Sequence, residues 1–179
     1  MGVHFTLFDT PVGACALLWG TEGLVGVLLP EATDAATRLR ARRRCAGATE
    51  AEPTAAIRRV IERIRGLLAG GHDDLADIAI DLRAIPPFNR RVYEIARAIH
   101  PGRTRSYGEI AIELGDPQAA RAVGRALGEN PFPIIVPCHR VLAAGAKAGG
   151  FSAPGGTRTK LRLLEIERAP LGGTPGLFD

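Results

Sequence analysis

Two unlike halves joined at a diproline predict a mixed α/β (α+β) chain. A small N-terminal antiparallel sheet with helices comes first. A mostly helical, winged-helix-like part with a helix-turn-helix follows. Three observations carry that reading. Apolar runs broken by turn residues open the chain, helical periodicity replaces them after Pro86-Pro87, and two short helices flank Gly115 further on. With 179 residues, 46% hydrophobic and 23% charged, the chain can bury a real core.

The elements follow in order. VHFTLFDTPVGACALLWGTEGLVGVLLPE reads as three strands, punctuated by Asp-Thr-Pro-Val-Gly and Gly-Thr-Glu-Gly. EATDAATRLRARRRC is Ala- and Arg-rich and predicts a helix. Its Arg42, Arg43 and Arg44 read as a solvated helix end, with a phosphate patch as the alternative. Pro53 opens a second helix in which Ile57, Val60, Ile61, Ile64 and Leu67 recur at helical spacing, and Gly70-Gly71 stops it. LADIAIDL is expected to return as a strand. The diproline then divides residues 1–85 from residues 86–169, because it continues neither a strand ladder nor a helix.

Beyond it, FNRRVYEIARAIHPG places Phe88, Val92, Ile95 and Ile99 on one helical face. Ser106 caps YGEIAIELG, with Glu109 three residues on as its capping-box partner. Asp116-Pro117 opens QAARAVGRALGEN, which completes a helix-turn-helix. Ala119, Ala120, Ala122, Gly124 and Ala126 are small, and Arg121 and Arg125 lie four apart. Such a helix comes close to whatever it faces, either the groove of a nucleic acid or the protein interior. Spacing alone leaves both open.

Several classes are excluded. No stretch approaches the roughly 20 apolar residues that span a bilayer, so no membrane partner is expected. The N-terminus has no basic segment before an apolar block, and its Gly2…Thr6 match to a lipidation pattern is read as chance. The expected location is cytoplasmic. Cys15, Cys45 and Cys138 are odd in number and widely spaced, which argues against a disulfide framework. No CxxC pair supports a zinc site. Charge is uneven: residues 1–87 hold ten Arg and eleven acids, whereas residues 88–179 hold eleven Arg, two Lys and eight acids. A basic second half suits an anionic partner such as nucleic acid.

Chemistry concentrates at IIVPCHRVL, residues 134–142. Pro133 and Pro137 bracket Ile134-Ile135-Val136, which reads as a short buried strand presenting Cys138 from a rigid frame. A cysteine attacks as thiolate, and imidazole or cationic neighbours favour that form. In an extended segment His139 points away from Cys138, so a relay between them needs a bridging water or a third, orienting group.

Pro137-Cys138-His139-Arg140-Val141 resembles the active-site signature of the O6-alkylguanine-DNA alkyltransferases, also called methylated-DNA–protein-cysteine methyltransferases. Ser106-Tyr107-Gly108-Glu109-Ile110-Ala111, Ala120-Arg121-Ala122-Val123-Gly124 and Glu129-Asn130-Pro131 stand in the family's order and spacing. The likeness runs from Phe88 to Glu167 and is looser in the first half. It implies direct-reversal DNA repair, in which O6-methylguanine, and more weakly O4-methylthymine, is flipped from duplex DNA and its alkyl group passes irreversibly to Cys138. By the same likeness His139 is the base, working through a water, and Glu167 orients it. Asn130 ties the turn, and Tyr107 protonates the leaving base. Arg121 fills the space left by the flipped nucleotide, with Ala120, Arg125 and Ser106 also on the DNA side. Val141, Ser152 and Phe151 line the base pocket.

The partner implied is double-stranded DNA bound by a monomer in its minor groove. No cofactor and no metal are implied. Small residues suit a groove only about 6 Å wide. Two departures stand out: Phe151 replaces a tyrosine, and the Gly150–Gly156 loop is longer by about two residues. Alkyltransferase-like lesion binders lack the cysteine, self-alkylating regulators carry an extra zinc domain, and a cysteine hydrolase would turn over. The tail, residues 170–179, is Gly- and Pro-rich. Its Leu177-Phe178 faintly resembles peptides that dock on the replication clamp, although packing on the protein itself is the plainer reading.

Overall fold

The computed structural model describes residues 2–170, so the Leu177-Phe178 expectation lies outside the described residues. Three strands form as the turn residues predict: β1 (His4–Thr10), β2 (Gly13–Gly20) and β3 (Gly23–Leu28). β2 pairs antiparallel with both neighbours, from His4↔Trp19 to Thr10↔Gly13 on one side. After α1 (Asp34–Arg44), a two-residue β4 (Thr49–Glu50) adds to the far edge of β1, and it does so in parallel. The sheet order is therefore β3-β2-β1-β4.

β2 has cover on both faces, which explains its unbroken apolar run. Cys15, Leu17 and Trp19 face the main core together with α2 (Ala55–Leu68). Ala16 and Leu18 face the other way, into a smaller cluster with Phe5, Leu28 and Ala41 of α1. Thr54 caps α2 through its hydroxyl, which accepts from the Ile57 amide, and Ile57, Ile61, Ile64 and Leu68 supply the buried stripe.

LADIAIDL is not a strand. Only a parallel bridge between Leu24 and Ile80 forms, through Leu24 N to Ala79 O and Asp81 N to Leu24 O. Side chains have taken the backbone partners that a ladder needs. Asp73 and Asp74 accept from the Leu75 and Ala76 amides, and Arg97 donates to the carbonyls of Ala76 and Ile78. Leu75 itself adopts φ 57°, which bends the chain away.

Pro87 is the first residue of α3 (Pro87–Arg97), a position that needs no amide donor. The buried face of α3 is Asn89, Val92, Tyr93 and Ala96, turned slightly from the predicted stripe because Tyr93 Oη donates to the Ala126 carbonyl at 2.9 Å. Next come β5 (Arg105–Ser106), α4 (Tyr107–Glu113) and α5 (Ala120–Gly128). β6 (Val141–Leu142) pairs parallel with β5, and α6 (Thr157–Ile166) closes the described chain. One apolar cluster runs from Leu17 of β2 to Leu163 of α6, and Val27 N donates to Pro131 O across the two halves. The segment that carries Cys138 is thus braced from both sides.

Candidate active site

The site is built outward from the end of α5. Asn130 works as a double clip: its Nδ2 donates to Val136 O and its Oδ1 accepts from Phe132 N, both at 2.9 Å. Ile134, Ile135 and Val136 are buried as expected, but they form tight turns rather than a strand. Val136 N reaches back to Phe132 O, Cys138 N to Val136 O, and Ile134 sits at φ 75°. A β-branched residue in that region is strained and persists only where its surroundings hold it. Here the Asn130 clip and Pro131, Pro133 and Pro137 hold it.

Cys138, His139 and Arg140 then form one 3-10 turn, not an extended strand end, and all three are buried. His139 Nε2 lies 2.9 Å from Glu167 Oε1. Arg140 donates to both oxygens of that carboxylate, through Nε at 2.9 Å and Nη2 at 2.7 Å, and its Nη1 donates to Ile99 O. Burial alone would raise the Glu167 carboxyl pKa. The hydrogen bonds and charges of His139 and Arg140 outweigh it and hold the group at about 2.

An ionised Glu167 can only accept, so Nε2 of His139 carries the proton and Nδ1 keeps its lone pair. Nδ1 is buried and has no hydrogen-bond partner among the described residues. Burial pushes the His139 pKa down against the pull of Glu167, which keeps the ring neutral at pH 7. A neutral imidazole with an unused lone pair is able to accept a proton. Burial raises the Cys138 pKa, while the Asn130 side chain and the Lys160 charge draw it back, so the resting group is a thiol.

Lys160 is the residue sequence reasoning missed. It is fully buried, and its Nζ donates to Val141 O at 2.6 Å, with Gly150 O and Tyr107 Oη at 3.4 Å. Burial lowers its pKa to about 8 despite the opposing influence of Cys138. A signal existed: it is one of only two lysines in a chain with twenty-one arginines, and Arg would not serve as a compact, titratable point charge.

A cleft of about 740 Å³ opens above the thiol. Its walls include Ser106, Tyr107, Ala120, Arg121, Gly124, Cys138, Phe151 and Ser152. Tyr107 begins α4 under the Ser106–Glu109 capping box, and burial raises its pKa, with Cys138 adding to the rise. Glycine is required beside it: a Cβ on Gly149, at φ 69°, would stand 3.1 Å from Tyr107 Oη. Gly124 lies against the Tyr107 ring, so part of the small-residue face of α5 serves internal packing while Ala120 and Gly124 also line the cleft. Ser152 Oγ donates to Gly128 O at 2.7 Å, fastening the Gly150–Gly156 loop to the end of α5.

Val141, expected in the base pocket, is buried outside the cleft wall with its carbonyl held by Lys160. Arg125, expected on the DNA side, is exposed on α5. His139 and Glu167 lie behind Cys138 rather than in the cleft.

Fold and site define a helix-turn-helix protein with a thiol at the floor of its cleft and a buried His–Glu pair behind it. Residues 87–169 match the family described as 6-O-methylguanine DNA methyltransferase, DNA binding domain. The Mycobacterium tuberculosis methylated-DNA–protein-cysteine methyltransferase is 36% identical over 178 residues, covering 99% of both chains. A DNA base-flipping protein from Thermus thermophilus is 42% identical over 67% of this chain and 78% of its own. The crystal structure of the Mycobacterium tuberculosis protein in complex with DNA superposes with a TM-score of 0.74 at 37% identity, covering 93% and 95% of the two chains. The chain belongs to the methylated-DNA–protein-cysteine methyltransferase family.

Proposed function

We propose that this protein repairs DNA by direct reversal, taking the O6-methyl group of guanine onto Cys138 in a single turnover. The observation that carries the reading is the Cys138 thiol at the cleft floor, backed by a neutral His139 whose Nδ1 is unused and whose other nitrogen is fixed by Glu167. The Cys138 proton passes through a water to His139 Nδ1. Sγ then bonds to the methyl carbon as the carbon–O6 bond breaks, and the electron pair returns to guanine. A proton from Tyr107 neutralises the ring nitrogen, and the proton held by His139 returns to the tyrosinate through solvent, so the net change is one thiol hydrogen exchanged for one methyl group. A thioether has no low-energy exit, and the transfer ends there.

Duplex DNA is the partner in this reading, with O4-methylthymine a weaker substrate. A base inside a duplex hides its O6, so the nucleotide must be flipped at a cost of a few kcal/mol. Exposed Arg121 at the cleft wall supports a role in filling the gap. Ala120, Ser106 and Arg125 belong to the same DNA side, and Phe151 and Ser152 close the pocket over the base. The reading assigns the chemistry to residues 86–169 and the bracing to residues 1–85. It has the protein act as a monomer in the cytoplasm, where its thiols stay free. No helix among the described residues is long and apolar enough to cross a membrane.

The test is stoichiometry. Excess duplex carrying O6-methylguanine is mixed with protein, and the remaining modified base is quantified by chromatography. One base lost per protein, with no further loss on longer incubation, supports the reading. Continuing loss would make it a turnover enzyme, and no loss would remove the activity.

A further inference from the structure

The N-terminal half gathers its positive charge on one helix. Residues 1–87 hold ten Arg and eleven acids, yet α1 alone holds five of those Arg against one acid, Asp34. Three are paired: Arg38 with Glu50 at 3.0 Å, Arg42 with Glu50 at 3.9 Å, and Arg40 with Glu31 at 3.0 Å. Arg44 is exposed and has no ion pair among the described residues.

Arg44 also has a specific place. Cys138, Phe151 and Ser152 line the large cleft. The same three residues also line a separate crevice of about 40 Å³, whose remaining polar walls are Arg40, Arg44 and Asn130. The Phe151–Ser152 segment is therefore a partition, with the base cleft before it and the two arginines of α1 behind it. The Arg44 charge also acts on the buried Tyr93 hydroxyl, which donates to the Ala126 carbonyl of α5. The crevice is far too small for a nucleotide. What it presents outward is an unpaired guanidinium on a flexible stem at the rim of the site, a donor suited to a phosphate oxygen.

We propose that Arg44 is a DNA phosphate contact supplied by the N-terminal half, holding the backbone of the damaged strand on the far side of the Phe151–Ser152 partition while the flipped base occupies the cleft. The inference rests on the DNA-repair reading above. It extends the binding surface beyond the helix-turn-helix, and it gives the basic end of α1 a function other than solvation.

The test is the salt dependence of the dissociation constant for a duplex carrying one O6-methylguanine, measured for the wild type, Arg44→Ala and Arg38→Ala. Each phosphate neutralised contributes about 0.9 to the slope of log K against log salt. Arg44→Ala is expected to flatten the slope by about one contact and to weaken binding about tenfold at low salt. Arg38→Ala, equal in charge but paired with Glu50, should leave the slope unchanged. An unaltered slope in Arg44→Ala, or equal losses in both variants, would overturn the proposal. Methyl transfer at saturating duplex separates the two claims. One equivalent transferred by Arg44→Ala with an unaltered slope sinks only this inference, whereas no transfer by the wild type sinks the repair reading itself.

Discussion

His139 Nε2 and Glu167 Oε1 lie 2.9 Å apart across 28 positions of sequence, and Arg140 Nη2 reaches the same oxygen at 2.7 Å. One buried carboxylate thus sets the tautomer of the imidazole and neutralises the arginine beside it. Glu167→Gln keeps the shape and removes the charge, leaving Arg140 buried without its counter-ion. Breaking a buried pair in this way costs about 3–5 kcal/mol. Urea unfolding should show that loss, and single-turnover kinetics should show slower methyl transfer. Full stability in this variant would mean the ion network is not formed.

Acid should act on the same pair in a definite order. The His139 pKa is depressed in the folded protein, so below about 6.5 the unfolded chain takes up a proton that the native state refuses, and stability begins to fall. Glu167, at about 2 when folded against an ordinary 4.5, adds a second loss as pH drops from 4.5 towards 2, worth roughly 3 kcal/mol in full. The rate of methyl transfer, by contrast, should not fall as pH drops through 6.5, because the His139 ring stays neutral there. A rate that halves near pH 6.5 would assign the ring an ordinary pKa and weaken its role.

Asn130 spans the turn before Cys138, so Asn130→Ala leaves Phe132 N unpaired in a part-buried turn and takes one of its two donors from Val136 O, which keeps the Cys138 amide. An expected loss of about 1–3 kcal/mol should accompany slower transfer. Asn130→Asp keeps the acceptor but not the donor, and it places a negative charge beside the thiol. Its reaction with iodoacetamide should therefore shift to higher pH than in the wild type.

Lys160→Met removes a charge that draws the Cys138 pKa down and a donor that ties Val141 O. Its thiol reactivity profile should also move to higher pH, and its methyl transfer should slow. A profile identical to the wild type would make Lys160 a structural tie alone.

If Arg121 occupies the gap left by a flipped nucleotide, Arg121→Ala should be penalised only where there is a gap to fill. Transfer from duplex DNA is expected to fall about ten- to a hundredfold, the equivalent of a few kcal/mol of flipping cost. Transfer from the free base O6-methylguanine should be unchanged. Equal losses on both substrates would show that Arg121 acts within the site instead.

Legibility in the sequence tracks how local each feature is. The hairpins of β1, β2 and β3, the Ser106–Glu109 capping box and the stripe of α2 are written within a few residues, and they stand where predicted. Cys138, His139 and Glu167 are nameable because a short signature resembles a family, although not from their spacing. LADIAIDL and Ile134-Ile135-Val136 read as strands but are not, because an apolar run looks the same whether neighbouring backbone or side chains such as Arg97 and Asn130 satisfy its amides and carbonyls. Beyond its rarity as a lysine, the burial of Lys160 is unreadable for a related reason: it is decided by Val141, Gly150 and Tyr107, which lie at least ten residues away along the chain. The crevice behind Phe151 and Ser152 depends on α1 meeting the second half, which no local pattern records.

The central claim is that Cys138 accepts the methyl group, and intact-protein mass spectrometry tests it most directly. Wild type and Cys138→Ser are mixed with a duplex containing one O6-methylguanine, weighed, and digested to locate any added mass. The account predicts a gain of one methyl on the wild type alone, mapped to Cys138 and stopping at one equivalent. Binding without added mass, or a methyl found on Cys15 or Cys45, would contradict it and leave a protein that recognises the lesion without removing it.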